Sequence, residues 1–361
     1  MLAAKRRPGL VRDLLAPAHQ PGARSAAGHL VAERVERPSA RDGHGGIVRR
    51  EPPVPCAAVR VLLLVNATAS SVTPRKRVIL RKELSTRHEV EVAETSRRGH
   101  ATRLAHAAAN DGFDVVAVLA GDGTLNEAAD GLAGTSTALA PLPGGSTNVY
   151  ARTLGVPVDL GAATSALLAS LERRSFRRTG VGLASGRRFL FNCGVGFDAA
   201  VIRRVERYGE LKRYVSHPLH VVAAFETWFR HYDHAHPRFD ITIGSEHIDG
   251  CYFAIVTKTS PYTYLGPRPI HVAPEATLDT PLSVTAFQRF DAPTLIGAAV
   301  SAMRSRKFIE RRRGIVHRAG IERLTVTGRT DFPYQVDGDD LGDTAGLDIA
   351  YEPDAITVVL P

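Results

Sequence analysis

Residues 119–131, LAGDGTLNEAADG, set a carboxylate between two glycines where a buried strand meets a helix. The run DVVAVL (114–119) is apolar and β-branched, which predicts a buried strand. Gly121 and Gly123 permit a tight turn and let a ligand approach the backbone closely. Thr124 follows at an N-cap position, with Glu127 three residues on in capping-box spacing. A helix N-terminus at such a turn presents free N–H groups and a partial positive charge, which suits a phosphate. Asp122 would repel that phosphate unless it carries a proton or holds a cation. On its own, Gly-Asp-Gly is equally an ordinary strand–turn–helix junction with an incidental Asp.

A second loop narrows the choice. After the apolar run Ala138–Leu142 comes PGGSTN (Pro143–Asn148), and then VYARTLG, a short helical stretch. Both loops follow strands and both carry Thr and Asn. At neighbouring strand ends they would face one crevice, the place where open α/β sheets bind ligands. Neither loop fits G-x-x-x-x-G-K-[ST], and no G-x-G-x-x-G follows the first strand.

The elements that must position these loops alternate. Val59–Val65, His88–Glu94 and Val115–Leu119 read as strands, and Arg75–Thr86 and Ala101–Asp111 as helices, which predicts a parallel sheet with helices on both faces. From about Arg177 the texture changes to short strands with polar turns: 177–183, 188–193, 239–243, 251–257, 282–287 and 323–326. Ala184–Arg187 carries a hairpin signal. Leu219–Tyr232 has roughly helical spacing.

Composition sets the limits. The chain has 361 residues, 44% hydrophobic and 23% charged, and three cysteines far apart (Cys56, Cys193, Cys251) that fit no metal or redox spacing and suit a reducing compartment. It has no apolar run of membrane-spanning length and no clean signal peptide. Of the formal charge of +9, residues 1–55 supply ten Lys/Arg against five Asp/Glu. Residues 1–56 read as a basic, disordered segment, or as the result of a start codon placed too far upstream. Further basic clusters lie at Arg203, Arg204, Arg207, Lys212 and Arg213, and from Arg304 to Arg313. They suit a solvated surface or an anionic lipid surface; nucleic acid is disfavoured because no aromatic stacking pattern accompanies the charge.

GDGTLNEAADGL followed by PLPGGSTNVYARTLG resembles the diacylglycerol kinase catalytic-domain family, which includes bacterial lipid kinases, sphingosine kinases and ceramide kinases. The resemblance runs from about Val59 to the C-terminus. It implies an α/β N-terminal domain of the NAD kinase type (57–175) and an all-β, sandwich-like lipid-substrate domain (176–345), with residues 346–361 returning to the first. It also implies transfer of the γ-phosphoryl of Mg-ATP to a lipid hydroxyl, most simply diacylglycerol giving phosphatidic acid. Sphingoid-base kinase, NAD kinase and a non-catalytic membrane or nucleotide-binding module are the alternatives. The implied partners are a lipid substrate and an anionic membrane surface, at the inner face of the membrane on the cytoplasmic side, with a homodimer as a possible assembly.

Residue roles follow from the same resemblance. Gly121, Gly123, Thr124, Gly144, Gly145, Ser146 and Thr147 would offer N–H and hydroxyl donors to phosphates. Asn126, Glu127 and Asn148 would orient the loops or the ribose. Asn66 and Thr95, at the first two strand ends, would reach the same crevice. The first loop departs from the family's Asn-Pro-x-x-Gly, with Ala67 for Pro and Ser70 for Gly, and Val149 stands where bacterial diacylglycerol kinases often have Asp. Asp122 and Asp339 are the catalytic candidates. Asp339 stands at the family's Leu-Asp-Gly-Glu carboxylate, as proton acceptor, with Asp337 as its positional partner and Asp340 as the fallback. An acidic β-turn or a calcium loop are the other readings of 335–348. The family's structural cation stretch reads APEATLDTPL (273–282) here, with Thr280-Pro281 for Asp-Gly, leaving Asp279 as a metal candidate. His231, His234 and His236 invite zinc but fit a polar helix end better.

Overall fold

The computed structural model describes residues 58–207, 226–227, 232–233, 235–304 and 313–361. Residues 1–56, most of the helix expected over 219–232, His231, His234, Lys212, Arg213 and most of the basic run 304–313 lie outside that set. Strands β1 (Arg60–Val65), β2 (Glu89–Glu94), β3 (Val115–Ala120) and β4 (Ala138–Pro143) lie parallel in the order β2-β1-β3-β4. Every residue of β3 is buried, and alternate side chains serve opposite faces. Val116 and Val118 join the core under α2 (His100–Asn110) and α3 (Asp122–Leu132). Val115, Ala117 and Leu119 join Leu80 and Leu84 of α1 (Pro74–Leu84) and Leu167 and Leu171 of α5 (Leu160–Arg173), while the short α4 (Val149–Thr153) follows β4. A sheet covered on both faces explains the unbroken apolar runs.

The second half is antiparallel. β5 (Phe176–Ala184), β6 (Arg187–Phe189), β7 (Asn192–Gly196), β8 (Phe239–Ile243), β9 (Glu246–Cys251), β10 (Phe253–Thr257), β13 (Leu282–Phe287), β14 (Ile315–Ile321), β15 (Arg323–Val336) and β16 (Asp339–Val359) continue the first four into one sheet, 14-stranded among the described residues. α6 (Phe197–Arg207) and α7 (Ala292–Arg304) flank it, and β11 (Thr263–Leu265) with β12 (Arg268–Ile270) forms a separate hairpin. β16 joins the two halves: it pairs antiparallel with β15 and β5, and its Thr357 and Val358 lie parallel to Ala138 and Leu139 of β4. An α/β half with a parallel sheet and a β-rich half is the fold class the sequence pointed to.

Three local readings are corrected. The helix after β3 begins at Asp122, with Gly121 as its N-cap, so Thr124 lies inside the first turn and caps nothing. Glu127 serves a different helix, its Oε2 accepting the Ala101 N–H (3.2 Å) in the first turn of α2. The strand expected over 188–193 breaks between β6 and β7, because Leu190 and Phe191 turn their N–H groups onto a carboxylate instead of a ladder.

α2 and α3 touch backbone to backbone at Gly131, where an added Cβ would lie 2.2 Å from the Thr102 carbonyl oxygen. Gly131→Ala is expected to lower the unfolding free energy by about 1–3 kcal/mol. The clash outweighs the roughly 1 kcal/mol that alanine gains in an unhindered helix. Urea denaturation of the two proteins measures the difference.

Candidate active site

The two glycine loops are in contact. A Cβ on Gly145 would stand 2.7 Å from the Gly121 Cα, and one on Gly144 would stand 2.6 Å from the Ala120 nitrogen. Only glycine allows the β3–α3 and β4–α4 turns to approach this closely. Asp122 fastens them: its Oδ2 accepts the Val149 N–H (3.0 Å) and its Oδ1 the Tyr150 N–H (3.1 Å), capping α4. Burial raises the Asp122 carboxyl above its ordinary range, and those backbone donors pull it the other way. Its two oxygens thus serve the backbone of the second loop. Asn148, left-handed at φ 50°, closes the second loop by accepting the Gly145 N–H (2.8 Å) and donating to the Gly145 carbonyl (2.9 Å). Asn66 donates to Thr124 Oγ1 (3.0 Å), which fixes the first strand end against α3.

These loops form one wall of a cavity of about 780 Å³ between the two halves. Asn66, Gly121, Asp122, Gly123, Thr124, Gly145, Ser146, Thr147 and Asp339 all line it. Thr95, Asn126, Glu127, Gly144 and Asn148 do not; apart from Thr95, they act one layer behind. Thr95 is engaged through its N–H on the Val65 carbonyl (2.9 Å). The opposite wall is apolar, built from Phe191, Phe197, Val201, Phe253, Tyr264 and Ile270. A polar patch interrupts it: Asp198 accepts from the Tyr262 hydroxyl and from Gln335 Nε2 (2.9 Å), and Gln335 also donates to Asn192 Oδ1 (2.8 Å).

The acidic turn divides its carboxylates. Asp339 faces the cavity, with Oδ1 3.6 Å from where a Gly123 Cβ would stand. Arg98 Nη2 lies 3.0 Å from Asp339 Oδ1, and Arg187 Nη2 3.8 Å from Oδ2. Neither arginine carried a sequence signal, since each lies far from Asp339 along the chain and in no recognisable spacing. Asp337 is buried beneath, accepting the N–H groups of Leu190 (2.7 Å), Phe191 (3.0 Å) and Asn192 (3.0 Å) and the Asn126 amide (2.8 Å). Asp340 is held by both nitrogens of an Arg203 fork (2.8 and 3.1 Å), which disqualifies it as a fallback base. With Asp337 surrounded by donors and Asp340 on an arginine, the turn is no calcium loop.

Among the described residues no group of three or more His, Cys, Asp or Glu side chains could hold a metal ion. Asp279 is exposed and ion-paired with Arg177. The neighbouring carbonyls of Thr277 and Leu278 receive the buried Lys258 ammonium (3.0 and 3.2 Å), and burial lowers that lysine to about 8. His236 bonds Asp233 (3.0 Å) at an exposed position.

Asp122→Ala strands two backbone donors at the start of α4. It is expected to cost about 0.5–2 kcal/mol of stability, and amide exchange at Val149 and Tyr150 should accelerate. Asp122→Asn, which keeps one acceptor, should fall between; denaturation curves and hydrogen exchange read both effects.

Comparison with known proteins agrees with this geometry. Residues 60–176 match the family described as the diacylglycerol kinase catalytic domain. A diacylglycerol kinase of Bacillus subtilis is 34% identical over 102 residues, which is 27% of this chain and 34% of the relative. A probable lipid kinase YegS-like of Pseudomonas aeruginosa is 34% identical over 143 residues, 39% of this chain and 45% of the relative. The chain thus spans between a third and a half of the length of these two curated relatives. A crystal structure of a putative diacylglycerol kinase from Bacillus anthracis superposes with a TM-score of 0.67 at 20% identity, over 84% of this chain and 97% of the other, which establishes the shared fold. Residues 60–176, which carry both glycine loops, are thus the part of this chain that is similar to the diacylglycerol kinase catalytic domain.

Proposed function

We propose that this chain is an ATP-dependent lipid kinase that phosphorylates a hydroxyl of a membrane lipid, diacylglycerol first among the candidates, giving phosphatidic acid. The observation that carries this reading is the two-sided cavity, with a glycine-loop wall at helix N-termini, an apolar wall opposite, and Asp339 beside the glycine loops. The N–H groups at the start of α3 and the hydroxyls of Thr124, Ser146 and Thr147 suit the triphosphate. The aromatic wall suits an acyl chain, with Asp198 and Tyr262 positioned to orient a polar headgroup. Asp339 takes the proton from the acceptor hydroxyl as the phosphoryl group is transferred.

Arg98 has a part in this chemistry. Its side chain is 66% exposed and spans the cleft to Asp339 and, at 3.8 Å, to Glu206. An exposed pair of this kind is weak, so an incoming triphosphate can draw Arg98 toward itself and leave Asp339 free to accept a proton. Magnesium, when bound, neutralises phosphate charge. The absence of a carboxylate cluster among the described residues fits an ion that enters with the nucleotide's own oxygens. The lipid is met peripherally, from the cytoplasmic side of the membrane. A sphingoid base is the second reading, favoured by Val149 at a position where the family's bacterial diacylglycerol kinases often carry Asp.

The test is a panel of diacylglycerol, sphingosine and NAD offered with labelled Mg-ATP. Labelled phosphatidic acid is expected; label on NAD alone would replace the lipid reading. Asp339→Asn is expected to lower kcat by about 10²-fold or more while calorimetry shows ATP binding retained. Unchanged turnover would remove Asp339 as the base.

A further inference from the structure

We propose that the outward face of α7, together with the adjoining β11–β12 hairpin tip, docks this chain onto an anionic lipid bilayer. α7 carries no charged residue before Arg304, its last. Its inner face is small: Ala298 and Ala302 pack in the cluster that contains Val272 and Phe290. Its outer face should be polar if it met only water. Instead Ile296 is 64% exposed, Val300 40% and Met303 49%, and the exposed Ala292, Pro293 and Ala299 between them add no polar side chain. Isolated exposed apolar side chains are ordinary, but a contiguous patch marks an interaction surface.

The hairpin extends the patch. The His271 N–H, next after β12, bonds the Ala302 carbonyl (3.1 Å) near the end of α7, which holds hairpin and helix side by side. Leu265 at the hairpin tip is 39% exposed and also lines the cavity, as does Ile270. The apolar face is therefore continuous with the cavity wall that a lipid would enter.

Charge selects the occupant. Arg268 is exposed at the hairpin, and so is Arg313, ahead of β14. The sequence from 304 to 313 holds six Lys/Arg and one Glu. In contrast, Arg203 is spent on Asp340 and Asp343, and Arg204 on Glu226. A second copy across a two-fold axis would bring like charge against like charge. An anionic bilayer satisfies both the apolar face and the positive rim.

The inference rests on the lipid-kinase reading only for why a bilayer is needed, and binding is measured without turnover. The full chain should co-sediment with mixed phosphatidylglycerol–phosphatidylcholine vesicles, more weakly with phosphatidylcholine alone, and less as salt rises. Ile296→Glu/Met303→Glu should weaken that binding by about tenfold or more, with thermal unfolding and phosphorylation of a short-chain, water-dispersed acceptor unchanged. A labelled Val300→Cys, on a Cys56→Ser background with Cys193 and Cys251 buried, should show a blue shift on the mixed vesicles. No binding by the parent, equal binding by the double variant, or no spectral shift would overturn the proposal. A double variant that loses only self-association would assign the face to a second copy and overturn it as well. Vesicle binding by a parent that phosphorylates no lipid would leave docking standing and sink the kinase reading instead.

Discussion

The buried carboxylate of Asp337 holds the two halves of the molecule together beneath the cavity. It collects three successive backbone N–H groups at the β6–β7 break and the side-chain amide of Asn126 from α3. Burial pushes its carboxyl up to about 7, and all four donors pull against that rise by favouring the charged form. An acceptor facing four donors is costly to remove, because each N–H left behind in the interior loses its partner. The β6–β7 break, the acidic turn and the glycine-loop helix are thereby set relative to one another by a single group.

The carboxylates that first look chemical have different tasks, and their donors decide which. Asp122 caps α4, Asp337 ties strands to a helix, Asp340 sits in an arginine fork, and Asp279 pairs with Arg177 at the surface. Asp339 alone among these combines access to the cavity with ion pairs to Arg98 and Arg187. The difference is one of environment, since neighbours in the same acidic turn are assigned to structure and to chemistry by whether backbone N–H groups or solvent-accessible side chains surround them.

The parallel half was legible because its strands are buried on both faces and its loops keep distinctive glycines; the strand and helix positions from Val59 to Leu142 lie within a residue or two of those read from pattern. The capping box was not, because Thr124 and Glu127 have the right spacing for one helix while their partners come from Asn66, just after β1, and from α2. The long strand β16 and the helices α5 and α7 escaped notice as well. α7 mixes small and apolar residues on both faces, so it lacks the amphipathic period by which surface helices are recognised. At the site, the glycine loops could be read locally, whereas Asp339 came only through the resemblance to the family's Leu-Asp-Gly-Glu. The arginines on Asp339 and the Asn126–Asp337 bond could not, since they exist only once distant segments have folded together.

β16 makes this arrangement a mechanical one. It begins at Asp339, in the cavity, and ends by pairing with Ala138 and Leu139 of β4, the strand that leads directly into Gly144 and Gly145. The candidate base and the second glycine loop are thus joined through one continuous strand and its ladder, with Asp122 extending the link to the first loop. Hydrogen-bonded strands resist the small displacements that ruin alignment for group transfer. The cavity's other contacts are made by side chains, among them Arg98 on Asp339 and the aromatic wall opposite. Under the lipid-kinase proposal, that frame would hold a triphosphate in fixed geometry beside the apolar wall.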